Sequence, residues 1–114
     1  MHLAKTLTLF ALTSGALSFK IRAFTGEDCS GDAKEVNVWD NTCRDSNVPK
    51  TKSFRVLAYG GHAQRAVFWK HSHCGDFDKD FKSWWSDGGS DEFKKDACLN
   101  LGYESNAYGS QISV

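Results

Sequence analysis

The chain has 114 residues, of which 40% are hydrophobic and 25% are charged, and its 14 basic and 14 acidic side chains cancel. This length is typical of one small domain, since domains commonly have about 100–150 residues. A net charge of zero argues against electrostatically driven nucleic-acid binding, which requires an excess of Lys and Arg. An aromatic content of 13% and a single Pro argue against a disordered chain or a Pro-rich stalk.

Residues 1–18 are predicted to form a signal peptide. Lys5 precedes an apolar stretch, residues 6–12, that is too short to span a bilayer. Small residues then stand at the two positions that a signal peptidase reads, so we expect cleavage after Ser18 and a single mature domain over 19–114. No later stretch of the sequence is long and apolar enough to cross a membrane. These features predict a secreted, extracellular protein.

Alternating hydrophobic and polar residues predict β-strands. In the run Lys20-Ile21-Arg22-Ala23-Phe24, hydrophobic and charged residues alternate, as they do in a strand with one buried face. The pair Gly60-Gly61 is a strong chain break and predicts the boundary between two halves of the domain. The predicted strands are residues 19–25, 35–39, 53–59, 65–71 and 110–114.

The second half contains a longer loop, residues 75–96. Within it, Ser90 followed by Asp91 and Glu92 is typical of a helix start, because Ser caps the N-terminus and acidic side chains interact favourably with the helix dipole. We therefore predict one short helix over 91–99. Because loops carry function more often than the strands that position them, we expect this loop to hold the specific features of the protein.

The four cysteines predict two disulfides, because an even number of Cys in a small secreted domain is typical of a disulfide framework. They are Cys29, Cys43, Cys74 and Cys98. Three pairings are possible. A zinc site is a competing interpretation, but the sequence contains no Cys-x-x-Cys pair and the predicted compartment is oxidising.

An internal repeat favours one of these pairings. When Cys29 is aligned with Cys74, each is preceded by a strand-like run with an aromatic residue five positions earlier, and each is followed closely by Gly. Each half then contains a second Cys, Cys43 or Cys98, and ends in a strand-like run with a hydroxyl residue nearby. If each half is a closed unit, the disulfides are Cys29–Cys43 and Cys74–Cys98, and each contributes about 3 kcal/mol through loop-closure entropy.

This duplicated unit resembles the βγ-crystallin family, in particular its small secreted microbial branch, which includes killer-toxin-like proteins. The aromatic residue before Cys-Ser-Gly or Cys-Gly and the closing strand Ser53-Phe54-Arg55-Val56 carry the resemblance. The cysteine-stapled format is also similar to that of small secreted fungal proteins, among them candidate effectors. The resemblance implies an all-β fold in which two Greek-key motifs, about 19–59 and 64–114, pack as a sandwich of about eight strands.

Calcium binding, which is common in the βγ-crystallin family, is not carried over to this chain. The family's calcium motif needs two Asn or Asp residues ahead of a Ser/Thr-Ser pair. The first equivalent segment, residues 48–53, lacks both, and the second, residues 106–111, keeps only Asn106 and Ser110.

The adjacent Trp84 and Trp85 are the sequence feature that most favours a binding site. Neighbouring residues in an extended segment face opposite ways, so we expect at most one of the two rings to be buried. The other, together with Tyr103, is available to contact a sugar ring or a protein partner, as Trp does at interface hot spots. The alternative is that both Trp side chains cover the core.

Two further clusters contain residue types that bind metals. His71 and His73 are spaced to point the same way on a strand. Carboxylates at alternate positions suit hard cations such as calcium, but the spacing lacks the Gly and Glu of an EF-hand loop. These carboxylates belong to Asp76, Asp78 and Asp80. We favour surface roles for both clusters and predict no metal and no cofactor.

A small secreted ribonuclease is the competing enzymatic interpretation. His71, His73, Glu35 and Arg65 include the acid, base and phosphate-binding residue types that this reaction needs, but no recognisable ribonuclease motif surrounds them. The sequence motifs of serine hydrolases, zinc proteases and P-loop proteins are absent as well.

The sequence therefore predicts a monomeric, non-enzymatic binding protein. The expected role is that of a fungal effector or killer-toxin-like protein acting on a host or competitor target, with an extracellular protein or a cell-wall glycan as its partner. A carbohydrate-binding or cell-wall-associated module is the alternative.

Overall fold

The computed structural model describes residues 16–75, 80–88 and 92–112, which form eight β-strands and contain no helix. The prediction of an all-β fold is confirmed. The strands are β1 Leu17–Phe24, β2 Ala33–Trp39, β3 Cys43–Arg44, β4 Thr51–Tyr59, β5 Arg65–Trp69, β6 Phe81–Trp85, β7 Cys98–Ser105 and β8 Ala107–Gln111.

These strands form two antiparallel sheets of four strands each. Sheet 1 has the order β2-β1-β4-β7 and sheet 2 has the order β3-β8-β5-β6. Each sheet takes three strands from one half of the chain and one edge strand from the other half, because β7 pairs with β4 and β3 pairs with β8. The two halves are therefore interlocked.

The inner faces of the two sheets meet in a core dominated by aromatic rings. Phe54 of β4 stacks on Phe68 of β5 with 4.5 Å between the ring centroids, and the Phe19 ring lies 5.8 Å from that of Phe68. Phe93, just before β7, contacts the rings of both Phe19 and Phe54. Each such ring, fully buried, contributes about 1.5–3 kcal/mol of hydrophobic free energy.

The five predicted strands correspond to observed strands with shifted ends. The alternation predicted for the first strand is confirmed, because Ile21 and Ala23 are buried whereas Arg22 is exposed. The last predicted strand, residues 110–114, is displaced: β8 covers 107–111, and residues 113 and 114 lie outside the described residues. Strands β3, β6 and β7 were not predicted.

The chain break at Gly60-Gly61 is confirmed, since β4 ends just before it and β5 begins shortly after it. Glycine is required at position 60 because a Cβ there would clash with the carbonyl oxygen of Leu17. The chain can therefore cross from sheet 1 to sheet 2 close against the start of β1.

The predicted helix over 91–99 is wrong. Residue 91 lies outside the described residues, and the segment that follows turns and then joins sheet 1. The Asp96 N–H donates to the Val56 carbonyl oxygen at 2.7 Å, and the Val56 N–H donates to that of Ala97 at 3.0 Å. Pairing with β4, together with the burial of Phe93, outweighs the local helix-start signal.

The two expected disulfides are present, but their predicted pairing is wrong. Cys29 is bonded to Cys98, and Cys43 is bonded to Cys74. The physical reason is the exchange of strands between the halves. Cys43 lies on β3 in sheet 2, where Cys74 follows β5, and Cys98 begins β7 in sheet 1, where Cys29 follows β1.

The alignment of the two halves nevertheless agrees with the strand order. Cys29 and Cys74 both follow the first strand of their half, and Cys43 and Cys98 both begin the third strand. Each disulfide therefore joins the first loop of one half to the third strand of the other half. The predicted pairing is wrong because it assumed that each half forms its own disulfide.

The first strand begins two residues before the predicted mature N-terminus. Leu17 pairs with Trp39, and Ser18 is buried with its carbonyl oxygen accepting the Gly60 N–H at 2.8 Å. Leu17 and Ser18 thus take part in β1 and its contacts, and the expected boundary after Ser18 stays a prediction. Residues 1–15 lie outside the described residues, and the signal peptide stays a prediction.

Candidate binding surface

The adjacent Trp84 and Trp85 face opposite sides of β6, as the sequence predicts. The Trp84 ring packs against the core, with its centroid 5.8 Å from those of Phe54 and Phe68. Its Nε1 donates a hydrogen bond to Glu92 Oε1 at 2.8 Å. Trp85 is 36% exposed. Of the pair, Trp85 is therefore the residue whose ring is available at the surface.

Tyr103, the third predicted binding residue, is half-buried on β7 with its ring against the core. Its hydroxyl donates to the Phe68 carbonyl oxygen at 2.6 Å, which connects β7 of sheet 1 to β5 of sheet 2. Burial raises the pKa of the Tyr103 phenol well above its usual value. The phenol is therefore engaged within the sandwich, and a role for Tyr103 in binding stays a prediction.

Arg65 holds the exposed ring of Trp85 in place. The two residues are register partners on β5 and β6, and the Arg65 guanidinium lies 4.8 Å from the Trp85 ring centroid. Arg65 Nη2 also donates to Ser83 Oγ at 2.7 Å. A cation–π contact of this kind contributes about 0.5–1 kcal/mol at an exposed site, enough to bias the ring toward one orientation.

Gln111 of β8 extends this arrangement to a third strand. It is the register partner of Arg65 on the side away from Trp85. Directly opposed side chains lie on the same face of a sheet, and Trp84 occupies the inner face, so these three residues share the outer face of sheet 2. We call Gln111, Arg65 and Trp85 the Trp85 row.

The exposed large hydrophobic side chains of the described residues gather at the same end of the sandwich. Each is the last residue of a strand or follows one, and the antiparallel registers bring these strand ends together beside the starts of β1 and β5. They are Trp39, Tyr59, Trp85 and Ile112.

A buried hydrogen-bond network holds the two sheets together at this end. Ser18 Oγ lies 2.8 Å from Ser86 Oγ and 2.6 Å from Ser110 Oγ. Ser110 Oγ donates to Gln64 Oε1 at 2.6 Å, and the same oxygen accepts the Asn41 N–H at 3.0 Å. The network therefore fixes five separate parts of the chain relative to one another.

A cavity of about 260 Å³ opens beside this network, between the β2–β3 connection, the end of β8 and the loop after β5. The disulfide Cys43–Cys74 and Trp69 form its apolar walls. None of the described residues that line it is charged. Its polar lining comes from Asn41, Thr42, Ser110 and Gln111.

The structure describes three of the five candidate metal-binding residues. The rings of His71 and His73 lie side by side with 4.5 Å between their centroids, and Asp80 Oδ2 lies 3.7 Å from Lys70 Nζ. Among the described residues, no group of three or more His, Cys, Asp or Glu side chains is arranged to hold a metal ion. The other two candidates, Asp76 and Asp78, lie outside the described residues.

The residue types of the ribonuclease interpretation are spread over both sheets. Glu35 lies on β2 of sheet 1, where Arg22 Nη2 donates to its Oε2 at 2.7 Å. This hydrogen bond and a second one from Lys20 lower the pKa of the Glu35 carboxyl. In sheet 2, Arg65 begins β5, whereas His71 lies beyond its other end.

Sequence reasoning missed the buried network and the cavity. The sequence places Ser18 in the predicted signal peptide, and Gln64 stands in the loop after Gly60-Gly61, where nothing in the sequence distinguishes a buried amide from an exposed one. A signal did exist for Trp39: in Val36-Asn37-Val38-Trp39, alternation places the indole on the face opposite the two valines.

Comparisons with protein-family models, with curated proteins and with solved structures found no match to this chain. In the part of the chain that the structure describes, no helix has the length and apolar character needed to span a membrane.

Proposed function

We propose that this protein is a secreted, disulfide-stabilised binding protein of the βγ-crystallin-like type, an effector or killer-toxin-like protein that binds an extracellular target without catalysing a reaction. The observation that carries the proposal is the Trp85 row: an exposed aromatic side chain, oriented by Arg65, stands on a sheet whose end is fixed by a buried network. Interface hot spots favour Trp and Arg in such rigid settings.

The strand order supports the Greek-key part of this proposal. In a Greek key, the fourth strand returns to lie beside the first. Here β4 lies beside β1 and β8 lies beside β5, and in each half the second strand lies on the other side of the first. The third strand of each half joins the opposite sheet, which accounts for the packing of two such motifs around one core.

The disulfides support the extracellular part. Cytosolic reductants keep most thiols reduced, whereas structural disulfides persist in secreted proteins. All four cysteines are paired in this chain.

The test measures binding of the fluorescently labelled protein to intact fungal cells and to intact plant cells over a range of concentrations. We expect saturable binding to one cell type, at least a tenfold loss of affinity in Trp85→Ala, and less than a twofold change in Trp39→Ala. Trp39 is a matched control because it is also exposed, at 42%, but lies on sheet 1. Binding that does not saturate, or an unchanged Trp85→Ala variant, contradicts the proposal.

The absence of catalysis needs its own measurement. RNA incubated with the protein is expected to remain intact, since Glu35 is bonded to Arg22 and Lys20 on sheet 1 while Arg65 contacts Trp85 on sheet 2. Cleavage that disappears in the double variant His71→Ala, His73→Ala would favour the ribonuclease interpretation instead.

The alternative function, a carbohydrate-binding or cell-wall-associated module, is favoured by one specific observation. The Trp85 row reaches, through Gln111, a cavity whose described lining residues are uncharged and include side-chain amides and hydroxyls. In the cell-binding experiment, this alternative predicts that isolated cell walls retain the binding after protease treatment.

A further inference from the structure

The Trp85 row and the cavity form one continuous surface on sheet 2. Gln111 belongs to both, because it lines the cavity and is the register partner of Arg65, which in turn pairs with Trp85. Neighbouring strands lie about 4.8 Å apart, so Gln111 and Trp85 are separated by about 10 Å across the sheet. A ligand that occupies both places must be extended over at least this distance.

The chemistry of the cavity selects neutral ligands with many hydroxyl groups. Side-chain amides and hydroxyls both donate and accept hydrogen bonds, as do the hydroxyl groups of a sugar. The side chains of Asn41, Thr42 and Gln111 are of this kind, whereas the Ser110 hydroxyl is already bonded to Ser18 and Gln64 in the buried network. None of the described lining residues is charged, so these residues offer no opposite charge to compensate a buried phosphate, carboxylate or ammonium group, whose desolvation is costly.

The size of the cavity suits a single small ring. Its volume of about 260 Å³ lies just below the range of roughly 300–1,000 Å³ that is usual for drug-sized ligands. The rest of an extended ligand must therefore lie outside it, on the sheet surface. There, the part of the Trp85 indole that Arg65 does not cover offers an aromatic surface with a polar edge, which matches a sugar ring that has an apolar face and polar rim.

We propose that this surface binds a neutral glycan, with one sugar ring in the cavity and the following rings across Arg65 to Trp85. The inference rests on the proposed function, because it names the class of target that this binding protein takes. The site is preorganised: the disulfide Cys43–Cys74 fixes one wall, and the network through Ser110 and Gln64 fixes the other. A rigid site loses less conformational entropy on binding a flexible chain of sugars.

The test titrates the protein purified from culture medium with soluble oligosaccharides, using isothermal titration calorimetry. Three neutral hexasaccharides, from chitin, cellulose and β-1,3-glucan, distinguish the possible sources of such a glycan, and a hexamer of galacturonic acid is the charged probe. We expect one-to-one binding of at least one neutral hexasaccharide and at least tenfold weaker binding of the charged hexamer.

Two variants locate the site, and a third is the control. Trp85→Ala is expected to weaken binding of the neutral hexasaccharide at least tenfold, and Gln111→Ala at least threefold. Trp39→Ala, which removes an exposed indole from sheet 1, is expected to stay within twofold of the unaltered protein. Near-ultraviolet circular dichroism of each variant shows whether the fold is retained, and a variant that loses it is replaced by Trp85→Leu or Gln111→Ser.

The outcomes separate this inference from the proposed function. The inference is overturned if no neutral hexasaccharide binds, if the charged hexamer binds as tightly, or if the Trp85 and Gln111 variants bind unchanged. If the hexasaccharides fail while intact cells still bind the protein saturably and lose that binding after protease treatment, the target is a protein and the proposed function stands. If neither cells nor glycans bind, both proposals fall.

Discussion

A buried hydroxyl group stabilises a fold only when its hydrogen bonds are made, because an unsatisfied buried donor or acceptor costs about 1–3 kcal/mol. Ser18, Ser86 and Ser110 meet this condition jointly: each is buried, and the Oγ atoms of Ser86 and Ser110 both lie within hydrogen-bond distance of that of Ser18. Ser86 Oγ also donates to the Gln64 carbonyl oxygen at 3.1 Å. The network is therefore centred on Ser18.

The variant Ser18→Ala tests this role. With Ser86 and Ser110 donating to Gln64, the single Ser18 hydroxyl proton is donated to one of these two serines at a time. The variant removes that hydrogen bond from a buried site, so we expect the free energy of unfolding to fall by about 1–3 kcal/mol. Urea denaturation followed by tryptophan fluorescence measures the change. Ser72→Ala, at an exposed position, is the control and is expected to leave the stability within about 0.5 kcal/mol of the unaltered protein. Equal effects of the two variants would show that the network adds no net stability.

Tyr108 makes the stability of the fold depend on pH in the alkaline range. Burial raises the pKa of its phenol to about 12 from a usual value of 10.0. As pH rises through 10, the unfolded chain releases this proton while the folded chain retains it. The unfolded state then binds fewer protons than the folded state, so the free energy of unfolding falls with rising pH.

We therefore expect the melting temperature to stay level up to about pH 9 and to decline between about pH 10 and 12. The raised pKa of Tyr103 acts in the same direction. In the variant Tyr108→Phe, part of this decline is expected to disappear, because the group that titrates has been removed. Thermal melts between pH 8 and pH 11 measure it, and an unchanged slope in the variant would contradict the assignment.

At the scale of elements, the sequence predicts those strands whose alternation is clear and misses those whose signal competes with another one. β1 is the clear case, with charged residues between buried ones. β7 carries alternation as well, because Leu99, Leu101 and Tyr103 face the core between the exposed Asn100 and Gly102. The helix-start signal just before β7 obscured this pattern. A local preference of less than 1 kcal/mol per residue is easily outweighed by strand pairing and burial.

β8 shows a different reason for a displaced strand. Ala107, Tyr108, Gly109 and Ser110 are all buried, since the strand lies between β3 and β5 and is covered on both faces. A strand buried on both faces has no polar alternation to read. Its ends are then set by neighbouring strands, which the sequence alone does not reveal.

If a signal peptide is removed, as the sequence predicts, the position of β1 limits where the remaining chain begins. Cleavage after Ser18 would remove the centre of the buried network and the pairing of Leu17 with Trp39. We therefore expect N-terminal sequencing of the protein from culture medium to find a first residue no later than Leu17. A recombinant chain that starts at Phe19 is expected to be less stable than one that starts at Leu17, by the amount lost in Ser18→Ala or more. A processed chain that begins at Phe19 and keeps full stability would contradict this.

At the scale of the whole molecule, the exchange of β3 and β7 between the sheets determines the disulfide pairing, which the sequence alone leaves open. The equivalence of Cys29 with Cys74, and of Cys43 with Cys98, is readable from the repeat, whereas the partner of each Cys depends on which sheet the third strand joins. The same distinction between local sequence and the arrangement of the sheets applies to the candidate site. The opposite orientation of the two adjacent Trp side chains is a local property that the sequence predicts, but the cavity is built from parts of both halves and is not predicted.

The disulfide pairing is the property of the whole molecule that is most directly testable. Trypsin cleaves after Lys and Arg and would place the four cysteines on four separate peptides, residues 23–34, 35–44, 71–79 and 96–114. Mass spectrometry of the non-reduced digest is expected to find 23–34 linked to 96–114, and 35–44 linked to 71–79. Both links join one half of the chain to the other, so they require interlocked sheets. A link between 23–34 and 35–44 would instead mean that each half closes on itself, and it would contradict the strand exchange, the cavity wall and the proposed glycan-binding surface together.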